Sequence, residues 1–370
     1  MIRRHELSDA EWEFVRPLLP ESLRGRKRLD DRTVLNGIVW KFRTGTACRD
    51  VPERYGPWAT LHTRFRRWAL DGTFERMLQA AQARADAAGD IDWLVSVDST
   101  IVRAHQHAAG ARKGGSVTRG SSGVPQGTGH QEKWRLALGL LDMLAAWGLN
   151  APIVVADAGY GVSPPFRLAL EERGLAYVLA LTGKEVAHPA EAEPHQPDYG
   201  GLGPPTLPRY RTPPRALSQH AAQLTTDVHA EVTWRQGSKG RMTSRFGVLT
   251  LRPAGKQALA AAQKAGGGHY RWDGVLPTYT VLVEWPAGQE APTGYWISNL
   301  PATTPVGELV RWAKMRWRIE HDYRELKHGL GLDHFEGRTW RGWHHHVTLV
   351  TAAQAFLTLR RLDPKAHTPA

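Results

Sequence analysis

The sequence predicts an α/β protein preceded by an all-α head. Three observations predict it: helical-period segments fill roughly the first 90 residues, two short apolar runs each end in an aspartate, and amphipathic helices alternate with strands around them. In the head, Ser8-Asp9-Ala10-Glu11 is a capping box, with Leu7 placed to staple onto Trp12 and with Val15 and Leu19 continuing the apolar face. A helix therefore starts at Asp9. After the basic turn Arg24-Gly25-Arg26-Lys27-Arg28, Asp30 or Asp31 caps a second helix in which Val34, Leu35, Ile38, Val39 and Phe42 recur at helical spacing, and Thr44-Gly45 stops it. Asp50 to Arg54 forms a short helical turn before Gly56-Pro57. A further helix from Trp58 to Leu70 buries Leu61, Phe65 and Trp68, exposes His62, Arg64, Arg66 and Arg67, and ends at Asp71-Gly72. Short helices joined by tight turns, the last rich in arginine, form the pattern of a helix-turn-helix DNA reader. Arg26, Lys27, Arg28, Arg64, Arg66 and Arg67 are its candidate DNA contacts. The plainer reading is a small helical bundle with a solvated basic face.

Ile91 to Val97 reads as a short strand ending in Asp98. Pro152 to Ala156 reads as a second, ending in Asp157 and followed by Ala158-Gly159-Tyr160-Gly161. Ligands of open α/β sheets bind at that carboxyl edge; each aspartate alone is more commonly a cap on the next helix, and finding two in equivalent settings narrows that gap. Helices from Glu132 to Trp147 and from Ser163 to Gly174 precede the strand Ala176 to Leu181, which predicts a mostly parallel sheet. From Thr182 to Pro277 the chain turns Pro- and Gly-rich, a β-rich insertion with strands near Val232 to Arg235 and Phe246 to Arg252. Strands return at Tyr279 to Val283 and Tyr295 to Ser298, and a helical tail begins at Pro305. In that tail Arg316, Glu320 and Lys327 fall at i, i+4 and i+11, one face of a continuous helix. An intrahelical ion-pair ladder is the ordinary reading of that spacing.

The chain carries 48 Lys and Arg against 36 Asp and Glu, a net charge of +12, which favours a polyanionic partner through counterion release. A single cysteine, Cys48, excludes an intramolecular disulfide and a cysteine-built zinc cage, as expected of a reducing compartment. No apolar stretch follows Met1 to Glu6, and the apolar run Val347 to Leu359 is too short to span a bilayer, so the expected location is the cytoplasm. Trp343-His344-His345-His346, with His105 and His107, invites a zinc reading. Consecutive helical histidines point about 100° apart, so the triplet cannot share one ion and is better suited to lining the helix near the active site or contacting phosphate. On the insertion, Trp234, Arg235, Lys239, Arg241 and Arg245 interleave an aromatic ring with cations, either to track a DNA strand or as a solvated hairpin with one buried ring.

With Asp98, Asp157 and Glu320 in hand, the chain resembles the DDE transposases of bacterial insertion sequences. From Leu7 to about Arg112 it resembles the insertion-sequence-five family, through Leu7-Ser8-Asp9-Ala10-Glu11-Trp12, Trp40-Lys41-Phe42-Arg43-Thr44-Gly45, Val97-Asp98-Ser99-Thr100 and Val102-Arg103-Ala104-His105-Gln106-His107. From about Lys133 onward it resembles the insertion-sequence-701 family. The motifs there are Ala156-Asp157-Ala158-Gly159-Tyr160-Gly161, Arg316-Trp317-Arg318-Ile319-Glu320, Tyr323-Arg324-Glu325-Leu326-Lys327, Phe335-Glu336-Gly337-Arg338 and Trp343-His344-His345-His346. The pattern is that of a chimera. The resemblance implies an RNase H-like catalytic domain with Asp98, Asp157 and Glu320 as catalytic, metal-binding carboxylates, and Mg²⁺ as cofactor with Mn²⁺ able to substitute. Arg316 and Lys327 match the family's basic partners of the Glu and join the candidate DNA contacts, with Arg235 and Lys239. The family's tyrosine three residues before Arg316 is Ala313 here.

Between Ser99 and Gln131 the large aliphatics are few, and glycines at 110, 114, 115, 120, 123, 127 and 129 punctuate the stretch, so two buried strands cannot be placed there. The expected sheet is therefore short of strands beside Asp98, with an open edge. The expected organisation is a helical DNA-binding domain over 1–90, the first part of the RNase H-like domain over 91–181 with a Gly/Ser-rich linker at 110–131, the insertion over 182–277, the Glu-bearing C-terminal part over 278–364, and a tail over 365–370. The expected function is metal-dependent hydrolysis and strand transfer at element ends. Its partners are double-stranded DNA, in the form of terminal inverted repeats and target, and a second copy of the chain, in a nucleoid-associated setting. The alternative is an inactive relic that only binds DNA.

Overall fold

Capping and apolar spacing set the head. Helix α1 (Asp9–Val15) begins in a complete capping box: Glu11 N–H donates to Ser8 Oγ at 3.3 Å and Ser8 N–H to Glu11 Oε2 at 2.6 Å. Helix α2 (Asp31–Thr44) is capped by Asp30, whose Oδ2 accepts from Thr33 N–H at 2.9 Å. Two 3₁₀ turns, Cys48–Asp50 and Glu53–Tyr55, lead into α3 (Trp58–Leu70), and α4 (Thr73–Ala87) follows after Gly72. Val34, Leu35, Ile38, Leu61, Trp68 and Phe74 close one core with Leu7, Val15 and Leu19.

Strand β1 (Val95–Val97) is followed by α5 (Lys133–Ala146), β2 (Ile153–Ala156), α6 (Ala158–Gly161), α7 (Pro164–Glu171) and β3 (Ala176–Leu181). Then come β4 (Val186–Pro189), β5 (Arg215–Ala216), α8 (Leu217–Ala221), β6 (Ala230–Gly237), β7 (Gly240–Pro253), α9 (Lys256–Ala265), β8 (Tyr279–Glu284) and β9 (Gly294–Ser298). The chain ends in α10 (Val306–Met315), α11 (Trp317–Arg324), a π-helical turn (Glu325–Gly329) and α12 (Trp340–Leu362). These elements belong to a computed structural model that describes residues 6–20, 29–44, 46–87, 95–98, 122–149, 151–201, 208–224, 230–237, 240–266 and 272–362.

The strands form one sheet in the order β1-β2-β3-β9-β8-β7-β4-β5, with β6 paired to β7. Only β1–β2 and β2–β3 are parallel. The expected mostly parallel sheet is therefore corrected to a mixed one: helical crossovers join the first three strands, whereas β6–β7 and β8–β9 are joined by short connections that force antiparallel pairing. The stretch 182–277 supplies β4 to β7, hydrogen-bonded into the same sheet through β7 and β8. Among the described residues β1 has one strand neighbour, β2, so the sheet ends beside Asp98.

Side-chain alternation along β2 explains its burial on both faces. Val154 and Ala156 pack with Leu138, Leu141, Phe166 and Leu170 of α5 and α7. Ile153 and Val155 pack with Leu309, Val310 and Ala313 of α10.

The chain divides into two compact units, one of Met1–Asp92, Thr100–His130 and Glu320–Ala370, the other of Trp93–Ser99 and Gln131–Ile319. The sequence places the boundary of the C-terminal part at 278, whereas α12 packs within the unit that holds the head. Its Leu349 joins the core of α1 to α4 and Val350 packs on Leu330 and Leu332. Adjacent helical residues point about 100° apart, so a continuous apolar run serves two packing partners at once.

Candidate active site

Parallel register sets the first two carboxylates. Val97 pairs with Ala156, so Asp98 and Asp157 leave neighbouring strands at the same carboxyl end of the sheet. Asp157 occupies the N-cap of α6, yet its side chain makes no capping hydrogen bond. The backbone carbonyl of Asp157 holds the turn, accepting from Gly161 N–H at 2.9 Å and Tyr160 N–H at 3.1 Å. The carboxylate is thereby left for another purpose, and among the described residues its buried Oδ1 has no hydrogen-bond partner. The small residues after it are required by space. A Cβ on Gly161 would lie 2.0 Å from the Ala180 carbonyl oxygen, and one on Gly159 would lie 3.1 Å from Asp157 Oδ1.

Arg167 completes this turn. Buried between Phe166 and Leu170, it donates from Nη1 to the Gly161 carbonyl at 2.5 Å. Sequence reading missed it. The available signal was a cation on an apolar helical face, four residues before Glu171.

Arg316 caps the C-terminus of α10 and donates from Nη1 to Asp98 Oδ2 at 3.1 Å. Glu320 lies in the first turn of the short helix α11 and is exposed; Lys327 lies in the π-helical turn. The expected single helical face is corrected: the three residues occupy successive helical pieces, and the wider winding of a π turn shifts the phase of the residues beyond it. Glu320 begins the segment of chain that belongs to the head's compact unit, whereas Asp98, Asp157 and Arg316 lie in the other.

A second, half-buried cation, also missed, anchors α10. Lys314 Nζ is 2.6 Å from Glu284 Oε2 and lies 4.6 Å from the Trp234 ring centroid and 5.1 Å from that of Trp296. Trp234 is thus engaged in packing, edge-on to Phe246 at 5.8 Å, which decides for the buried-ring reading over base stacking. Its exposed neighbour Arg235 lies over Trp317 at 3.7 Å.

In the head, Arg64 departs from expectation. It is buried, ion-paired with Asp31 and held over the Trp68 ring at 5.6 Å, so it ties α3 to α2 and does not face solvent as the sequence predicts. His62, Arg66 and Arg67 are exposed as expected. Arg26, Lys27, Arg28 and Lys239, with His105 and His107, lie outside the described residues.

Residues 92–241 match the family described as "DDE superfamily endonuclease", and residues 7–78 match "Putative transposase of IS4/5 family". An uncharacterized protein of Sinorhizobium fredii is 40% identical over 125 residues, which cover 33% of this chain and 96% of that protein. An uncharacterized 16.2 kDa protein of insertion element IS402 from Burkholderia cepacia is 33% identical over 107 residues, covering 26% of this chain and 73% of that protein. The chain belongs to the insertion-sequence DDE transposases. Its substrate is DNA, and its superfamily of endonucleases uses divalent metals.

The residues of the transposase fit such a cation. The strand-end donors are hard carboxylate oxygens, the ligands a divalent ion of this class prefers, and Asp157 Oδ1 is a buried acceptor that no donor among the described residues satisfies. Among the described residues no three His, Cys, Asp or Glu side chains are gathered as a metal-binding group. His346 is instead used structurally, its Nε2 donating to the Gly331 carbonyl at 2.9 Å. No helix among the described residues is long and apolar enough to cross a membrane.

Proposed function

We propose that this transposase hydrolyses and rejoins phosphodiester bonds at the terminal inverted repeats of its element, with Asp98, Asp157 and Glu320 as the metal-binding carboxylates. One observation carries the assignment. Two acidic side chains leave adjacent parallel strands at one sheet end, and one of them presents a buried oxygen that no group among the described residues satisfies. A pair of divalent cations, Mg²⁺ or its substitute Mn²⁺, supplies activation of water or a 3′-hydroxyl and stabilisation of the leaving oxygen. The strands hold Asp98 and Asp157 rigidly, and Glu320 is the third carboxylate, carried on α11. Arg316 offsets the charge of Asp98 and, with Lys327, is assigned to the phosphates flanking the scissile bond.

Residues 1–90 are assigned to double-stranded DNA through Arg26, Lys27, Arg28, Arg66 and Arg67, while Arg235 and Lys239 on the insertion of 182–277 track the flanking strand. In this assignment 91–181 and 278–364 form the RNase H-like catalytic part, and 365–370 is a tail. A homodimer brings two element ends together among nucleoid DNA in the cytoplasm. The motifs after Lys133 derive from the insertion-sequence-701 family.

The test is cleavage of a labelled element end by purified protein. Nicking is expected in Mg²⁺ and in Mn²⁺, absent in EDTA, and lost in Asp157→Asn and Glu320→Gln while DNA binding persists. Binding without cleavage in any divalent metal, or unchanged cleavage by either variant, overturns the assignment.

A further inference from the structure

The unit that holds the head contains a cavity of about 550 Å³, within the size range of small-ligand pockets, that the proposed reaction does not use. It is lined by Lys41 of α2, His62 and Phe65 of α3, Phe335 of the segment before α12, and His345 and His346 of α12. Two motifs singled out in the sequence and left without a role, Phe335-Glu336-Gly337-Arg338 and Trp343-His344-His345-His346, therefore meet here.

The lining is built rather than incidental. The Phe335 ring is edge-on to Trp343 at 5.6 Å and tilted on His346 at 5.4 Å. A Cβ on Gly337 would lie 2.5 Å from the Phe335 ring, so the motif glycine is what lets the ring occupy this place. Burial holds His345 and His346 below the ordinary histidine value, which favours the neutral ring at pH 7; His346 Nε2 is engaged by the Gly331 carbonyl, and His345 has ring nitrogens capable of hydrogen bonding to uncharged groups. Lys41 supplies a compact positive charge, and His62 is exposed at the rim. One wall thus suits a phosphate, and the aromatic faces with neutral imidazoles suit a heterocyclic base. Together they describe a nucleotide.

We propose that the cavity receives a single nucleotide of the bound DNA, unstacked from its neighbours, with its base against Phe335 and Phe65 and its phosphate toward Lys41 and His62. The inference rests on the family's DNA substrate and is independent of the three carboxylates. Extrusion of one nucleotide is cheapest where it is unpaired, and stacking on an aromatic side chain repays the loss of its neighbours.

The test compares binding of the full-length protein to a fluorescent duplex carrying a one-nucleotide bulge and to the fully paired duplex of the same sequence. The bulged duplex is expected to bind about tenfold more tightly. Lys41→Gln, Phe335→Leu and His62→Gln are expected to abolish that preference and leave the affinity for the paired duplex unchanged. His62 is exposed, so its variant answers the question even if Phe335→Leu fails to fold by circular dichroism. Equal affinity of the unsubstituted protein for the two duplexes, or a preference that survives in His62→Gln and Lys41→Gln, overturns the proposal. So does saturable binding of free deoxyadenosine monophosphate with no preference for the bulge, which would make the occupant a diffusible nucleotide. Loss of cleavage in Asp157→Asn with the bulge preference intact supports the proposal, whereas failure to bind either duplex overturns the DNA substrate on which it rests.

Discussion

Arg64 and Arg66 stand two positions apart on α3 and meet opposite environments. Arg66 faces solvent, and Arg64 is enclosed with Asp31 beneath it and Trp68 beside it. Truncating Arg64 removes a buried guanidinium together with its ion pair to Asp31 and its contact with Trp68, so Arg64→Ala is expected to cost about 3 kcal/mol in urea denaturation, and Arg66→Ala to cost within about 0.5 kcal/mol. Arg66→Ala is the one expected to weaken DNA binding. The sequence could not separate the two, because helical spacing shows which way a residue points relative to its own helix but not which partner another helix brings. Histidines give a second prediction at this scale. Burial lowers the values of His188, His345 and His346 from 6.5, so protonation favours the unfolded chain. Stability is therefore full above about pH 6.5 and falls as the pH drops below it. Denaturation midpoints at pH 7.5 and 5.5 check this: an unchanged midpoint would refute it, and restoration by His346→Gln would assign part of it.

The turn from β2 into α6 rests on a helix and a strand meeting at a glycine. Gly161→Ala drives a methyl group into the Ala180 carbonyl, and the expected cost is about 3 kcal/mol with a parallel loss of cleavage, because Asp157 shares that turn. The helix α10 is fastened by Lys314 on Glu284, side chains that are 20% and 11% exposed. Lys314→Met is expected to cost about 3 kcal/mol by leaving Glu284 buried and alone, and adding Glu284→Gln is expected to recover most of it; thermal melts of the single and double variants decide. Helix and strand positions were legible where local signals were strong. The Ser8 capping box, Trp58 to Leu70 and the apolar run into Asp157 stand where their residues placed them, as does Val95 to Val97 before Asp98, the part of that run within the described residues. Strand direction in the second half was not legible, since α/β alternation stops at β3 and the later strands carry no mark of their neighbours. The breaks around Arg316 and in the π turn were equally hidden, because an apolar helical period persists through a change of winding.

For the molecule as a whole, the net charge of +12 predicts a binding constant for DNA that falls steeply with salt. If about six phosphates are neutralised, raising NaCl from about 50 to 200 mM is expected to lower the affinity about a thousandfold, and a flat salt profile would refute a phosphate-dominated interface. Chain length, basic charge, the helical head, the two strand-end aspartates and the family motifs could all be read from the sequence. Each depends on neighbours within a turn or a strand, or on composition alone. Only the tertiary structure decided that Arg64 is internal, that Trp234 is packed around Lys314, that the Asp157 side chain makes no capping hydrogen bond and keeps a buried oxygen unsatisfied among the described residues, and that Phe335, His345 and Lys41 line one cavity. Those facts depend on which segments far apart in sequence come into contact, and burial and electrostatic pairing are properties of that contact, which no local pattern encodes.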